Sequence, residues 1–131
     1  AILPIDSGRY GTKEMLEIFG EQKKLIIITD EAAAALSQSE INLIPKSVAK
    51  DIVRVARSRK ITAKRIKQLE AKSDHDTAAL VESLSEKCSK NARPWIHYGL
   101  TSNDLVDTSN SMQMRDALQI IEPKVAKMAS I

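Results

Sequence analysis

Residues 25–36, Leu25-Ile26-Ile27-Ile28-Thr29-Asp30-Glu31-Ala32-Ala33-Ala34-Ala35-Leu36, decide the fold class. Taken alone, the run from Leu25 to Thr29 would also suit a buried strand, because β-branched side chains pack well on a pleated surface. The four alanines that follow are the strongest helix formers. They tip the stretch to one helix, which starts beyond Gly20 and continues through about Ser37. The rest of the chain agrees: with 131 residues, four Gly, four Pro and 3% aromatic content, helix formers dominate, and the expected class is all-α.

Working outward, Thr12 caps a short helix, Lys13 to Phe19, with Glu14 in its first turn and Met15, Ile18 and Phe19 on one face. The first eleven residues, AILPIDSGRYG, hold Pro4, Gly8 and Gly11 without periodicity and are expected to form an irregular arm. Asn42 to Pro45 breaks the chain. Val48, Ile52, Val55 and Ala56 then recur at helical spacing up to about Arg59, and Thr62 caps a helix with Ile66 and Leu69 inward. A further helix is expected from Ser73-Asp74-His75-Asp76 to about Lys90, capped by Asp74 or Asp76, with Thr77, Val81, Leu84 and Cys88 on its apolar stripe. After a loop over Asn91 to Ser102, the last helix begins near Asn103. Leu105, Met112, Leu118, Ile121, Val125 and Met128 predict an amphipathic face, which Pro123 should kink. This helix shows no stop signal at Ile131, so it is expected to be cut off there.

Charge and composition narrow the function. Twenty basic residues against 17 acidic ones give +3, and the densest basic run, Arg54 to Lys67, has no aromatic residue on which a base could stack. It reads as a solvated helix face, not a nucleic-acid site. No segment approaches the roughly 18 apolar residues that span a bilayer, so no membrane partner is expected and the default location is the cytoplasm. Two histidines 22 positions apart and one cysteine on an apolar stripe make no metal-ligand set.

Three places put reactive side chains at helix starts or in loops, where binding groups tend to lie. His97-Tyr98-Gly99-Leu100-Thr101-Ser102-Asn103-Asp104 sets two hydroxyls and free backbone N–H groups at a helix opening, an arrangement that binds anions. The bland alternative makes Thr101 or Ser102 an N-cap and Asp104 a residue suited to the helix dipole. His75, flanked by Asp74 and Asp76, has the composition of a general acid or base whose tautomer a carboxylate can fix, or else that of a cap. Arg9 and Tyr10 can clamp a phosphate by a guanidinium fork and a hydroxyl.

In order and spacing, Gly8-Arg9-Tyr10-Gly11 with Glu14-Met15 and Ile18-Phe19, then Asp74-His75-Asp76, then Ile96 to Asp104 with Asp107-Thr108, resemble the adenylosuccinate lyase family. Glu31-Ala32 and Ala117-Leu118 through Pro123-Lys124 extend the likeness over nearly the whole chain. The resemblance implies a member of the fumarase and aspartase superfamily: an all-helical homotetramer without cofactor, whose active sites draw on several subunits. It implies elimination of fumarate from adenylosuccinate, giving AMP, and from the succinyl-carboxamide intermediate of purine synthesis. Residues 1–102 would form the N-terminal helical domain and residues 103–131 the start of a central bundle.

By the same resemblance, Arg9 and Tyr10 hold the nucleotide phosphate, and Thr101 and Ser102 bind the succinyl part. His75 and Asp76 contact substrate, His75 supporting the proton chemistry, while His97 and Asp104 have supporting places. The family's main acid and base lie in a Thr-His motif and a Ser-rich loop that this sequence does not contain, so these residues alone are expected to be inactive. Two other readings compete: another lyase of the superfamily, such as argininosuccinate lyase or fumarase, and a non-catalytic helical interaction module.

Overall fold

The computed structural model describes residues 11–20, 22–58 and 60–131. Most of the expected N-terminal arm, with Arg9 and Tyr10, lies outside the described residues, as does Arg59. Among the described residues there are six α-helices and no strand. They are α1 (Lys13–Phe19), α2 (Gln22–Glu40), α3 (Lys46–Arg57), α4 (Ala63–Ser73), α5 (Asp76–Ser85) and α6 (Ser102–Ala129), with a single 3₁₀ turn at Arg93–Trp95. None of these helices is long and apolar enough to cross a membrane.

Local chemistry explains most of the boundaries. The Thr12 and Thr62 hydroxyls accept the amides of Met15 and Arg65, closing the first turns of α1 and α4. Gly20 leaves α1 where a Cβ would lie 2.7 Å from the Leu16 carbonyl oxygen, so a side chain does not fit. The helix settled by the alanine run extends to Glu40, three residues past the expected end. There Asn42 adopts a left-handed φ of 58° and the Leu43 amide returns to the Gln38 carbonyl at 2.9 Å, satisfying a terminal acceptor.

Two expectations about α5 are corrected. Its N-cap is His75, whose Nδ1 accepts the Ala78 amide at 3.2 Å, and neither Asp74 nor Asp76 takes that place. Asp74 instead ends α4 in a left-handed conformation, φ 50°. The helix also stops at Ser85 and not near Lys90, because the amides of Lys87 and Cys88 turn to the carbonyls three residues back and the chain goes on in turns. Cys88 stays buried by way of these turns, and burial pushes its thiol up to about 11.

The core lies among α2, α3, α4 and α5, around Ile28, Ile52, Val55, Ile66, Leu69, Leu80 and Leu84, with Leu105 of α6. Packing pairs α2 with α3 and α4 with α5, and α6 lies along α2. Arg65 forks onto Glu86, tying the start of α4 to the end of α5 and holding the Glu86 carboxyl below its usual range. Of the basic run, Arg54, Arg57, Lys60, Lys64 and Lys67 are exposed as predicted, whereas Arg65 is half-buried against Glu86.

The long last helix departs from its expected face. It docks through Leu105, Ser109, Gln113 and Ala117, spaced four apart, and the Gln113 amide donates to the Ile18 carbonyl of α1. Of the predicted stripe only Leu105 is buried, whereas Leu118, Ile121, Val125 and Met128 are exposed. The small and polar row lets α6 approach its neighbours closely, and the large apolar row is left outward. The expected inward face of α1 is likewise reduced to Ile18, with Phe19 exposed.

Candidate functional site

His75 and Ser102 stand at the starts of two helices, and His97 lies in the loop between them. All three border one open cleft of about 380 Å³, walled on one side by Thr77, Ala78, Val81, Glu82 and Ser85 of α5. The folding of α4 back onto α5 supplies one histidine, and the return of the chain from Cys88 through Trp95 to α6 supplies the other. Residues 27 positions apart in sequence thus meet at one opening.

The tautomers follow from the partners. His75 Nδ1 accepts an amide proton, so its neutral ring carries its own proton on Nε2 and has an N–H to donate. His97 Nδ1 lies 2.6 Å from Oε1 of Glu31, and an ionised carboxylate only accepts, so this nitrogen bears the proton and Nε2 of the neutral ring keeps a lone pair. One imidazole therefore offers a donor and the other an acceptor.

The loop carrying His97 is held by α2. The Glu31 carboxylate also accepts the His97 amide at 3.1 Å, and Gln38, two turns further along α2, donates to the Tyr98 carbonyl at 2.7 Å. His97 and Gly99 take left-handed φ values of 62° and 70°. Only the second is at ease there, since glycine has no Cβ to clash. Tyr98 meets Trp95 edge to face with ring centroids 5.1 Å apart, bracing the same loop.

The remaining candidate residues divide. Thr101 is the N-cap of α6 and shares a capping box with Asp104, whose Oδ2 accepts the Thr101 amide at 2.8 Å and its hydroxyl at 3.2 Å. Ser102 borders the cleft and Thr101 does not. Asp76 turns its Oδ1 to the Thr77 amide and hydroxyl, at 2.6 and 3.2 Å, and is not among the cleft residues. Its carboxylate stands 3.8 Å from His75 Nδ1, beyond hydrogen-bond reach. The amide of Ala78, not a flanking carboxylate, fixes the His75 tautomer.

Sequence reasoning gave Glu31 no place in the site, although it is 2% exposed and holds His97 by ring and backbone. A signal was present: Glu31 sits four residues after Ile27 and four before Ala35, at a core register of α2 where a charge needs a partner. Its partner lies 66 positions away, and no helical periodicity points to it.

A family model described as lyase matches residues 8–131. Over its full length the chain is 41% identical to the adenylosuccinate lyase of Methanocaldococcus jannaschii and 39% identical to that of Methanothermobacter thermautotrophicus. It covers 28% and 29% of those proteins, so it spans less than a third of the curated relatives it matches, corresponding to their N-terminal part. Among solved structures, the fumarate lyase from Mesorhizobium sp. BNC1 matches with a TM-score of 0.77 at 28% identity, over 86% of this chain and 26% of that one. The β-carboxy-cis,cis-muconate cycloisomerase from Acinetobacter calcoaceticus sp. ADP1 gives 0.79 at 27% identity, over 88% and 28%. The all-α fold is that of the fumarase and aspartase superfamily.

Proposed function

Because the chain belongs to the lyase family, we propose that it forms the N-terminal part of an adenylosuccinate lyase, which eliminates fumarate from adenylosuccinate to leave AMP and from the succinyl-carboxamide intermediate of purine synthesis. The observation that carries this reading is the meeting of His75, His97 and Ser102 at one cleft. In the elimination a proton leaves the carbon next to a carboxylate and the carbon–nitrogen bond breaks. Negative charge builds on that carboxylate as the proton departs, so the site needs donors already aimed at it.

The Ser102 hydroxyl and the amides opening α6 are such donors, and they suit the succinyl carboxylates. His75 adds an N–H from Nε2 and supports the proton chemistry. Thr101 and Asp104 keep the opening of α6 in shape, and Asp76, bound to the Thr77 amide, does the same for the first turn of α5 beside His75. Arg9 and Tyr10 take the nucleotide phosphate. The principal acid and base come from elsewhere in the assembled enzyme, so residues 1–131 alone do not turn over. The reaction needs no cofactor and takes place in the cytoplasm.

Assembly fits the same reading. Residues 1–102 serve as the N-terminal domain and residues 103–131 as the start of a bundle shared by four subunits, for which the outward apolar row of α6 provides a surface. The test is fumarate release from adenylosuccinate by the full-length protein, with residues 1–131 assayed beside it. Release by the full-length protein only is expected, and an inactive full-length protein or an active 131-residue chain overturns the reading. Loss of AMP binding on Arg9→Ala separates this substrate from that of argininosuccinate lyase or fumarase, which have no nucleotide phosphate to hold.

A further inference from the structure

We infer that Glu31 is a positioning residue of the site, holding His97 so that its Nε2 lone pair is presented to the cleft opposite the N–H of His75; the catalytic part of this inference rests on the lyase reading. Glu31 is almost wholly buried, on the face of α2 that also buries Ile27, Ile28 and Ala35. Removing a carboxylate from water is costly, and an apolar side chain would fill this core register more cheaply. Among the described residues both carboxylate oxygens go to His97: Oε1 takes its ring at 2.6 Å and Oε2 takes its amide at 3.1 Å.

The two bonds do different work. The bond to the amide holds a backbone with φ of 62°, a conformation that a histidine keeps only when its surroundings over-determine it. The bond to Nδ1 selects the tautomer and the ring orientation, as second groups behind reactive imidazoles do. Gln38 clamps the next residue through the Tyr98 carbonyl, so two side chains of one rigid helix set the height of the loop over the cleft. A glutamine at position 31 can keep both contacts only with the other tautomer. Its carbonyl accepts the His97 amide and its NH₂ donates to a bare Nδ1, which puts the ring proton on Nε2 and removes the lone pair that the cleft would see.

The test uses the full-length protein with Glu31→Gln, His97→Asn and the double variant. E31Q is expected to lower kcat/KM for adenylosuccinate by about 10- to 100-fold, the range for removing a group that orients a functional histidine. In the His97→Asn background the same change should cost no more than about 2-fold, because Glu31 acts through the ring that is already gone. A residue that only stabilises the fold would give losses that multiply, and that outcome overturns the inference, as does E31Q at the wild-type rate.

A second readout needs no substrate. With ¹⁵N-labelled histidine, and the His97 signal assigned by its loss in His97→Asn, the wild-type ring should carry its proton on Nδ1, and E31Q should move it to Nε2. A wild-type His97 ring with a bare Nδ1 overturns the inference even if E31Q does not fold. If the wild-type protein releases no fumarate, the lyase reading fails by itself and the ring spectrum still decides the role of Glu31.

Discussion

Single residues tie the helices together where hydrophobic packing cannot. Asp51 of α3 accepts the Ser89 amide at 2.8 Å and pairs with Arg54, and these contacts, the amide first, hold its carboxyl below the ordinary 3.8. A carboxylate with a lowered native pKa stabilises the fold fully above its unfolded value and loses that contribution as the pH falls through the native one. Asp51→Asn should therefore cost about 1 kcal/mol at neutral pH. The gap between wild type and variant should close as the pH drops below 3.8, measured by urea unfolding across that range. At this scale the sequence put His75 and His97 forward as candidates but not the groups that hold them. His75 and His97 were visible as histidines beside polar residues, whereas the Ala78 amide and Glu31 that set their tautomers were not.

Among elements, caps place the ends and packing supplies the energy. The Thr62 hydroxyl accepts the Arg65 amide at 3.3 Å in an exposed turn, so Thr62→Ala should cost about 1 kcal/mol. Leu84 of α5 has no exposed surface at all, so Leu84→Ala should cost about 2–5 kcal/mol through lost burial and the cavity left behind. Chemical denaturation of both variants checks the order, and a cap loss equal to the core loss would contradict it. Helix identities were legible because propensity and capping act within one turn, as Thr12, Thr62 and the alanine run show. The end of α5 was missed because Cys88 keeps the apolar register after the helix has stopped. Burial continued the pattern, and the backbone did not follow it.

At the scale of the molecule, α6 carries Leu118, Val125 and Met128, which are 60%, 57% and 75% exposed. Turning such a row to water has no benefit for the chain by itself. Leu118→Lys with Val125→Lys should leave the helical content of residues 1–131 unchanged, by circular dichroism. On the assembly proposed above, the same pair should lower the mass of the full-length protein measured by light scattering; an unaltered mass would detach this row from any contact between subunits. The sequence by itself determined the all-α class, the order of the helices and the residue types at the site, because those depend on propensities and periodicities that act over a few residues. Only the tertiary structure decided that α6 docks by Ser109, Gln113 and Ala117 and not by its larger apolar residues, that His75 and His97 share a cleft, and that a glutamate of α2 governs one of them. The physical reason is common to all three: each is a contact between segments far apart in the chain, and the partner of a side chain across such a distance is chosen by how helices pack and which buried polar groups then need satisfying.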